Sequence, residues 1–288
     1  MGYAHILNLY KEKSILMFKR CYAMEKVHGS SAHVSWKKDR NPQLSFFAGG
    51  EKHERFVAFF DQEALLKHFP ELGHDEVTVF GEVYGGKCQS MGGTYGPDLR
   101  FIAFDVKIGD FFVNVPVAEK ISTDLGLEFV PYAEISTDLS EIDAQRDAPS
   151  IVAQRRGMGD DKKREGVVLR PLMEMTGNNG ERICAKHKRD DFAEVKTPRK
   201  VTDEELKVLS DAEAIADEWV TEQRLTHVLQ KIENVGIDKM RDVITAMIED
   251  VTREGSGEIV DSKEARKAIS KRTSTMFKSR LQESLKGA

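Results

Sequence analysis

The chain has 288 residues, 40% hydrophobic and 32% charged, with a formal net charge of −5. That length allows one large domain or two smaller ones with a real core, and the scattered 22 glycines and 8 prolines exclude collagen-like and low-complexity architectures. Three widely spaced cysteines, Cys21, Cys88 and Cys184, argue against a disulfide framework or a zinc knuckle; no apolar run is long enough to span a bilayer, and Lys11, Glu12 and Lys13 interrupt any leader-like start, so a cytoplasmic chain with no membrane partner is expected.

In chain order, Glu25-Lys26-Val27-His28-Gly29 stands just before the first clear strand, Ala32 to Trp36, where apolar and polar residues alternate. Glu54 to Phe69 sets Phe56, Phe59, Phe60 and Leu66 at helical spacing. Val77–Tyr84, Phe101–Ile108 and Phe111–Val115 are rich in β-branched and aromatic residues and read as strands, with Gly109-Asp110 as a hairpin turn. Asp138 to Asp161 is polar and poorly patterned, the signature of a helix with a mobile loop. Glu165–Leu169 and Ile183–Lys188 read as two further strands. Beyond Thr197-Pro198 the pattern turns helical, over about 203–218, 220–233, 238–253 and 262–284, the first opened by a Thr202/Glu205 capping box. The expected fold is therefore an antiparallel α+β domain over residues 1–200, followed by a small all-helical domain over 201–288. Charge is uneven in the tail: residues 201–260 carry a net −9 and residues 261–288 a net +5. The pattern fits a solvated surface as well as a partner-binding one.

Five clusters bear chemistry. Lys26 beside Gly29 can bring an amine close to a phosphate, and an amine is a nucleophile once deprotonated; taken alone, it is equally a surface lysine in a turn. Phe80-Gly81-Glu82 ends a strand with an acid that can accept hydrogen bonds from a ribose, followed by Gly85-Gly86. Phe101-Ile102-Ala103-Phe104-Asp105 offers either core phenylalanines or a stacking surface for a purine. Arg164-Glu165-Gly166 sets an acid before a buried strand. In Ala185-Lys186-His187-Lys188, strand alternation puts two lysines on one face, which suits an anion such as a triphosphate or, more plainly, a solvated edge.

In order and spacing these pieces resemble the covalent nucleotidyltransferases, the ATP-dependent ligases and mRNA capping enzymes. Lys26-Val27-His28-Gly29, with histidine in the third place, is similar to the RNA ligase 2 family. The resemblance covers nearly the whole chain, with Tyr95-Gly96 leading into Phe101–Asp105 and a weaker echo in Asp250–Gly255. It implies an antiparallel-sheet nucleotidyltransferase domain with a helical domain that binds RNA ends. It further implies an ATP-dependent RNA ligase serving RNA repair, which joins 5′-phosphate and 3′-hydroxyl ends, at nicks in duplexes, through lysyl-AMP and RNA-adenylate. By the same resemblance Lys26 takes the AMP, Glu25 reads the adenine amine, Glu82 binds the ribose and Phe104 stacks on the base. Lys186 and Lys188 grip phosphates, His28, beside Gly29, contacts phosphate or the RNA end, and Glu165 organises a hydrated Mg²⁺, with Mn²⁺ as an alternative. A monomer is expected. Two departures stand out: Ser30-Ser31 replaces the family's Thr-Asn, and no arginine lies about twenty residues after Lys26, leaving Arg40, Lys52 and Arg55 as candidates. A DNA ligase, a GTP-dependent capping guanylyltransferase and a non-catalytic RNA-binding relative are the alternatives.

Overall fold

The computed structural model describes residues 2–202, 208–232 and 235–286. The chain forms two compact units, Met1–Arg189 and Asp190–Ala288. The first is mixed α and β with two antiparallel sheets, and the second is helical.

In the first unit β1 (Arg20–Lys26), β2 (Ser30–Lys37) and β3 (Leu44–Ala48) are followed by α1 (His53–Val57) and α2 (Gln62–Glu71). Then come β4 (Glu76–Tyr84), α3 (Gly92–Tyr95), β5 (Arg100–Ile108), β6 (Phe111–Phe112) and α4 (Val115–Asp124). The unit ends with β7 (Tyr132–Ser136), α5 (Leu139–Asp147), α6 (Ile151–Arg155), β8 (Gly166–Pro171) and β9 (Ala185–Lys188). One sheet has the order β7-β1-β8-β9 and the other β3-β2-β4-β5-β6. In β2, Ala32, Val34 and Trp36 turn into the core while His33 and Ser35 face the other way. The core they join includes Met24 and Val27, Val77, Val79 and Val83 of β4, and Phe69 of α2.

Local chemistry explains where the elements depart from expectation. The helical stretch read at 54–69 is two helices, because the Asp61 carboxylate caps α2 by accepting from the Ala64 N–H. The strand expected over 111–115 stops at Phe112, since Asn114 caps α4 through the Val117 N–H and Pro116 sits in its first turn. The segment read as a helix and mobile loop contains α5 and α6, and Ser150 caps α6. Lys26, expected ahead of the first strand, closes β1.

The second unit holds α7 (Ala212–Trp219), α8 (Glu222–Leu229), α9 (Met240–Glu254) and α10 (Lys263–Lys286) around Ile215, Trp219, Leu225, Met247 and Phe277. Residues 203–207, with Glu205 of the expected capping box, and residues 233–234 lie outside the described residues. Asp250, part of the weak tail motif, is buried in an ion pair with Arg224. Among the described residues no helix is long and apolar enough to cross a membrane.

Candidate active site

Strand register assembles the site. Lys26 lies across from Gly166 on β8, and Gly166 across from Lys188 on β9, so Lys26 and Lys188 share one face of the sheet. Met24, Val168 and Lys186 form the next row on that face. Two glycines allow the close approaches. A Cβ on Gly29 would stand 2.1 Å from the Val83 carbonyl oxygen and 2.9 Å from Glu82 Cγ; one on Gly166 would stand 2.2 Å from the His187 carbonyl oxygen. Both distances are far inside contact, so β1 can turn into β2 against β4, and β8 can lie on β9, only with glycine there.

Glu165, immediately before β8, is the hub. Its Oε2 is 2.9 Å from Lys26 Nζ and 3.2 Å from His28 Nδ1, and its Oε1 is 2.9 Å from Lys188 Nζ. Burial alone would raise this carboxyl, but Lys188, Lys26 and His28 hold it well below the usual carboxylate range. His28 is fixed further by its main-chain N–H, which donates to the Tyr95 hydroxyl at 3.3 Å. Glu82 behaves oppositely. Burial pushes it up to about 8, with the neighbouring Glu165 charge adding to the rise and Lys26 and Lys188 offsetting part of it. The shift favours the protonated form, which can donate as well as accept. Across from it on β2, the buried Ser31 Oγ has no hydrogen-bond partner among the described residues.

Of the residues singled out in the sequence, the structure brings together Lys26, His28, Gly29, Glu82, Glu165 and Lys188, with Lys186 one row away on the same face. Phe104 lies on β5 beside the bulge at Phe80/Gly81, half-buried. Glu25 is corrected. It points to the opposite face of β1 from Lys26, and its carboxylate accepts from the Ser150 hydroxyl and from the Ile151 and Val152 N–H groups. Burial raises it above its ordinary value in spite of these bonds and of Arg164. Its side chain ties α6 to β1, so an adenine contact from Glu25 would have to come from the main chain. Parity likewise separates His187 from its lysine neighbours: its Nε2 lies 2.8 Å from Asp143 Oδ1 of α5.

The missing arginine has a structural counterpart. The stretch about twenty residues after Lys26 is β3, where Phe46 packs on Phe56 and Phe60 and Phe47 stacks on His33 at 5.2 Å. Burial lowers His33 to about 4, so this wall is aromatic and neutral. Arg40 is no substitute, because its guanidinium is spent on the carbonyls of Ser35, Pro42 and Gln43 in the β2–β3 connection. Sequence reasoning missed Ser150 and Tyr3, which have no periodic or motif signal of their own, and met Tyr95 only as the lead into Phe101–Asp105; each matters through a partner distant in the chain.

Among the described residues no group of three or more His, Cys, Asp or Glu side chains could hold a metal ion. The donors present, Glu165 with Glu82 beside it, do not make a protein cage. They fit a hard divalent cation that keeps most of its own waters.

Comparisons with known proteins bear on the family and the fold. The family model described as RNA ligase matches residues 19–188. No curated protein matched. Among solved structures, a mutant Naegleria gruberi RNA ligase with ATP and Mn superposes with a TM-score of 0.51 at 16% identity, over 67% of this chain and 56% of that one. The same ligase with PPi gives 0.51 at 16%, over 67% and 57%. A mutant with AMP and Mn gives 0.52 at 15%, over 67% and 57%. The chain thus spans a little over half the length of those proteins, and at such identity the likeness establishes the shared fold. With the family model matching residues 19–188, from the start of the first sheet to its last strand, the chain belongs to the RNA ligase family, consistent with the RNA ligase 2-like branch that its motifs indicate.

Proposed function

We propose that the protein is an ATP- and Mg²⁺-dependent RNA ligase that joins 5′-phosphate and 3′-hydroxyl ends at nicks in duplexes, with Mn²⁺ able to replace Mg²⁺. The observation that carries this reading is the convergence of Lys26, Lys188 and His28 on the single buried carboxylate of Glu165, with Glu82 alongside. A lone lysine in a buried cationic cluster, with a face of further lysines behind it, suits attack on a bound polyphosphate.

In this reading Lys26 Nζ, having lost its proton, attacks the α-phosphorus of ATP. The N–P bond forms as the bond to the bridging oxygen breaks, and pyrophosphate leaves. Lys186 and Lys188 hold phosphate oxygens and neutralise the charge that develops on them. The Glu82 carboxyl orients the ribose, Phe104 stacks on the purine, and Ser31 Oγ is a free polar contact facing the same space. Glu165 would hold a hydrated divalent cation, which would supply neutralisation of phosphate charge. An oxygen of the RNA 5′-phosphate then attacks the AMP phosphorus, which restores the lysine. The 3′-hydroxyl finally attacks the activated 5′-phosphorus and AMP departs. His28 contacts the phosphate or the RNA end. The Naegleria gruberi ligase is described with ATP and Mn, with AMP and Mn and with PPi, which supports this nucleotide and this class of cation. The helical unit is assigned the RNA ends, and the exposed lysines of α10 support that role.

The test is sealing of singly nicked 5′-phosphate duplexes, with RNA and DNA exchanged strand by strand and ATP, GTP or NAD supplied. The expected result is sealing with ATP and with RNA at the nick. Sealing supported equally by GTP, or no sealing of any RNA-containing nick, would overturn the reading.

A further inference from the structure

The N-terminal segment touches both sheets. Tyr3 stands among three phenylalanines of the β4-β5-β6 region, in edge contact with Phe104 at 4.9 Å, Phe80 at 5.1 Å and Phe112 at 5.9 Å between ring centroids. Its hydroxyl donates to Asp105 Oδ2 at 2.6 Å and accepts from Arg182 at 2.7 Å. Arg182 also donates to Asp105 Oδ2 and lies over the Phe112 ring, 3.6 Å from its centroid. Asp105 Oδ1 accepts from Arg170 of β8, so this buried group joins a strand of one sheet to a strand of the other. A few residues on, the same segment binds the edge of the other sheet. The Lys186 N–H donates to the Leu7 carbonyl at 2.9 Å, and the Leu9 N–H donates to the Lys186 carbonyl at 2.8 Å.

One short stretch of chain therefore braces Phe104 on one sheet and the main chain of Lys186 on the other. Resting on the reading above, in which Phe104 stacks on the purine and Lys186 holds phosphate, we propose that Tyr3 is a positioning residue for the nucleotide: it sets the Phe104 ring and clasps the two walls of the cleft. The physical reason is specific to the ring. Phe104 is half-buried against the core, and a phenyl with part of its ring open keeps alternative orientations unless a further neighbour packs on it. Edge-to-face packing on Tyr3 selects one of them, and the Asp105 and Arg182 bonds fix Tyr3 in turn. Stacking on a fixed ring avoids the entropy cost of ordering it on binding.

The discriminating measurement is the ATP dependence of lysyl-AMP formation in wild type, Tyr3→Phe and Tyr3→Ala, with inorganic tripolyphosphate as a competitor. Tyr3→Ala is expected to raise the half-saturating ATP concentration about tenfold, the order expected for losing edge-to-face contacts. The rate at saturating ATP and the inhibition by tripolyphosphate should stay close to wild type, because phosphate contacts remain. Tyr3→Phe keeps the ring and should recover most of the affinity. General destabilisation would instead lower the saturating rate, or weaken tripolyphosphate as much as ATP, and either result overturns the proposal. An unchanged or lowered half-saturating ATP concentration in Tyr3→Ala also overturns it, the lowered value marking Tyr3 as an obstacle to the base. Should wild type form no lysyl-AMP at all, the functional reading itself fails; should only the Tyr3 comparison fail, that reading stands and the clasp does not.

Discussion

Lys26 and Lys188 divide the two oxygens of Glu165 between them, which makes this carboxylate the residue whose loss is felt by both cations. Glu165→Gln should cut the rate of lysyl-AMP formation about a hundredfold, the usual order for removing one preorganised electrostatic group, and added Mg²⁺ should restore little. A radiolabel time course over a range of Mg²⁺ concentrations checks this; a wild-type rate would refute the role. Glu82 gives a pH signature. Its folded value of about 8 lies above its ordinary 4.5, so its protonated form favours folding at low pH and that contribution is lost as pH rises from 4.5 through about 8. Glu165 acts in the other direction: its depressed carboxyl contributes stability above 4.5 that is lost on acidification through its folded value. Glu82→Gln should therefore raise Tm relative to wild type by roughly 3 °C or more at pH 9, and by little at pH 5. Equal shifts at both pH values would contradict the buried acid. Lys26, Glu82 and Glu165 are legible in the sequence because their chemistry is written in short motifs. Their meeting is not, since Lys26 and Glu165 are 139 positions apart. The facing of Glu25 is hidden in the sequence for a related reason. Arg20, Glu25 and Lys26 hide β1 among charges, and without that strand the opposite facing of neighbours Glu25 and Lys26 goes unseen.

The elements that sequence pattern finds best are those with one buried face. β2, with Ala32, Val34 and Trp36 alternating inward, is legible, whereas β1, β3 and β7 lack so plain an alternation. The division of residues 54–69 into two helices, and the early end of β6, turn on the single capping residues Asp61 and Asn114, whose effect on the chain exceeds that of the apolar spacing around them. Tertiary ties also turn polar sequence into order: α6 starts where Glu25 accepts its first N–H groups, although the segment has little periodicity of its own. The sheets are joined by the buried Asp105–Arg170 pair at 2.8 Å, with Arg182 on the second oxygen. Asp105→Ala leaves two buried guanidinium groups without that partner and should cost about 3–5 kcal/mol in urea unfolding. A cost under about 1 kcal/mol would show that the pair is not what joins β5 to β8. Gly29→Ala should abolish lysyl-AMP formation, because its methyl meets the Val83 carbonyl main chain that neither strand can withdraw.

In the proposed reading the two units divide the chemistry by charge and position. Every nucleotide candidate lies before residue 189, while α10 of the helical unit buries Ala265, Ala268, Ile269 and Phe277 and leaves Lys263, Lys267, Lys271 and Lys278 exposed. The four-residue spacing of the first three puts them on one face, and Lys278, seven residues on, returns to it. Arg266, Arg272 and Arg280 of the same helix are in ion pairs with Asp261, Asp217 and Glu222. Among the described residues these four lysines are in no ion pair, which leaves their face to meet phosphates. Replacing these four lysines by alanine should weaken binding of a nicked duplex and flatten its salt dependence by about 3–4 in the slope of log affinity against log salt. Lysyl-AMP formation should be unaffected. An unchanged salt slope would assign this face to solvent. The net +5 over residues 261–288 was legible from composition; which charges are paired depends on partners in other helices.

The whole mechanism turns on Lys26 becoming the carrier of AMP. Incubation with ATP and Mg²⁺, followed by peptide mapping of the intact protein by mass spectrometry under neutral conditions, tests it most directly. One AMP per chain is expected, on the peptide containing Lys26 and on its side chain, and none in Lys26→Ala or Lys26→Arg, since a guanidinium stays protonated. AMP on another residue, or AMP retained by either variant, would contradict it.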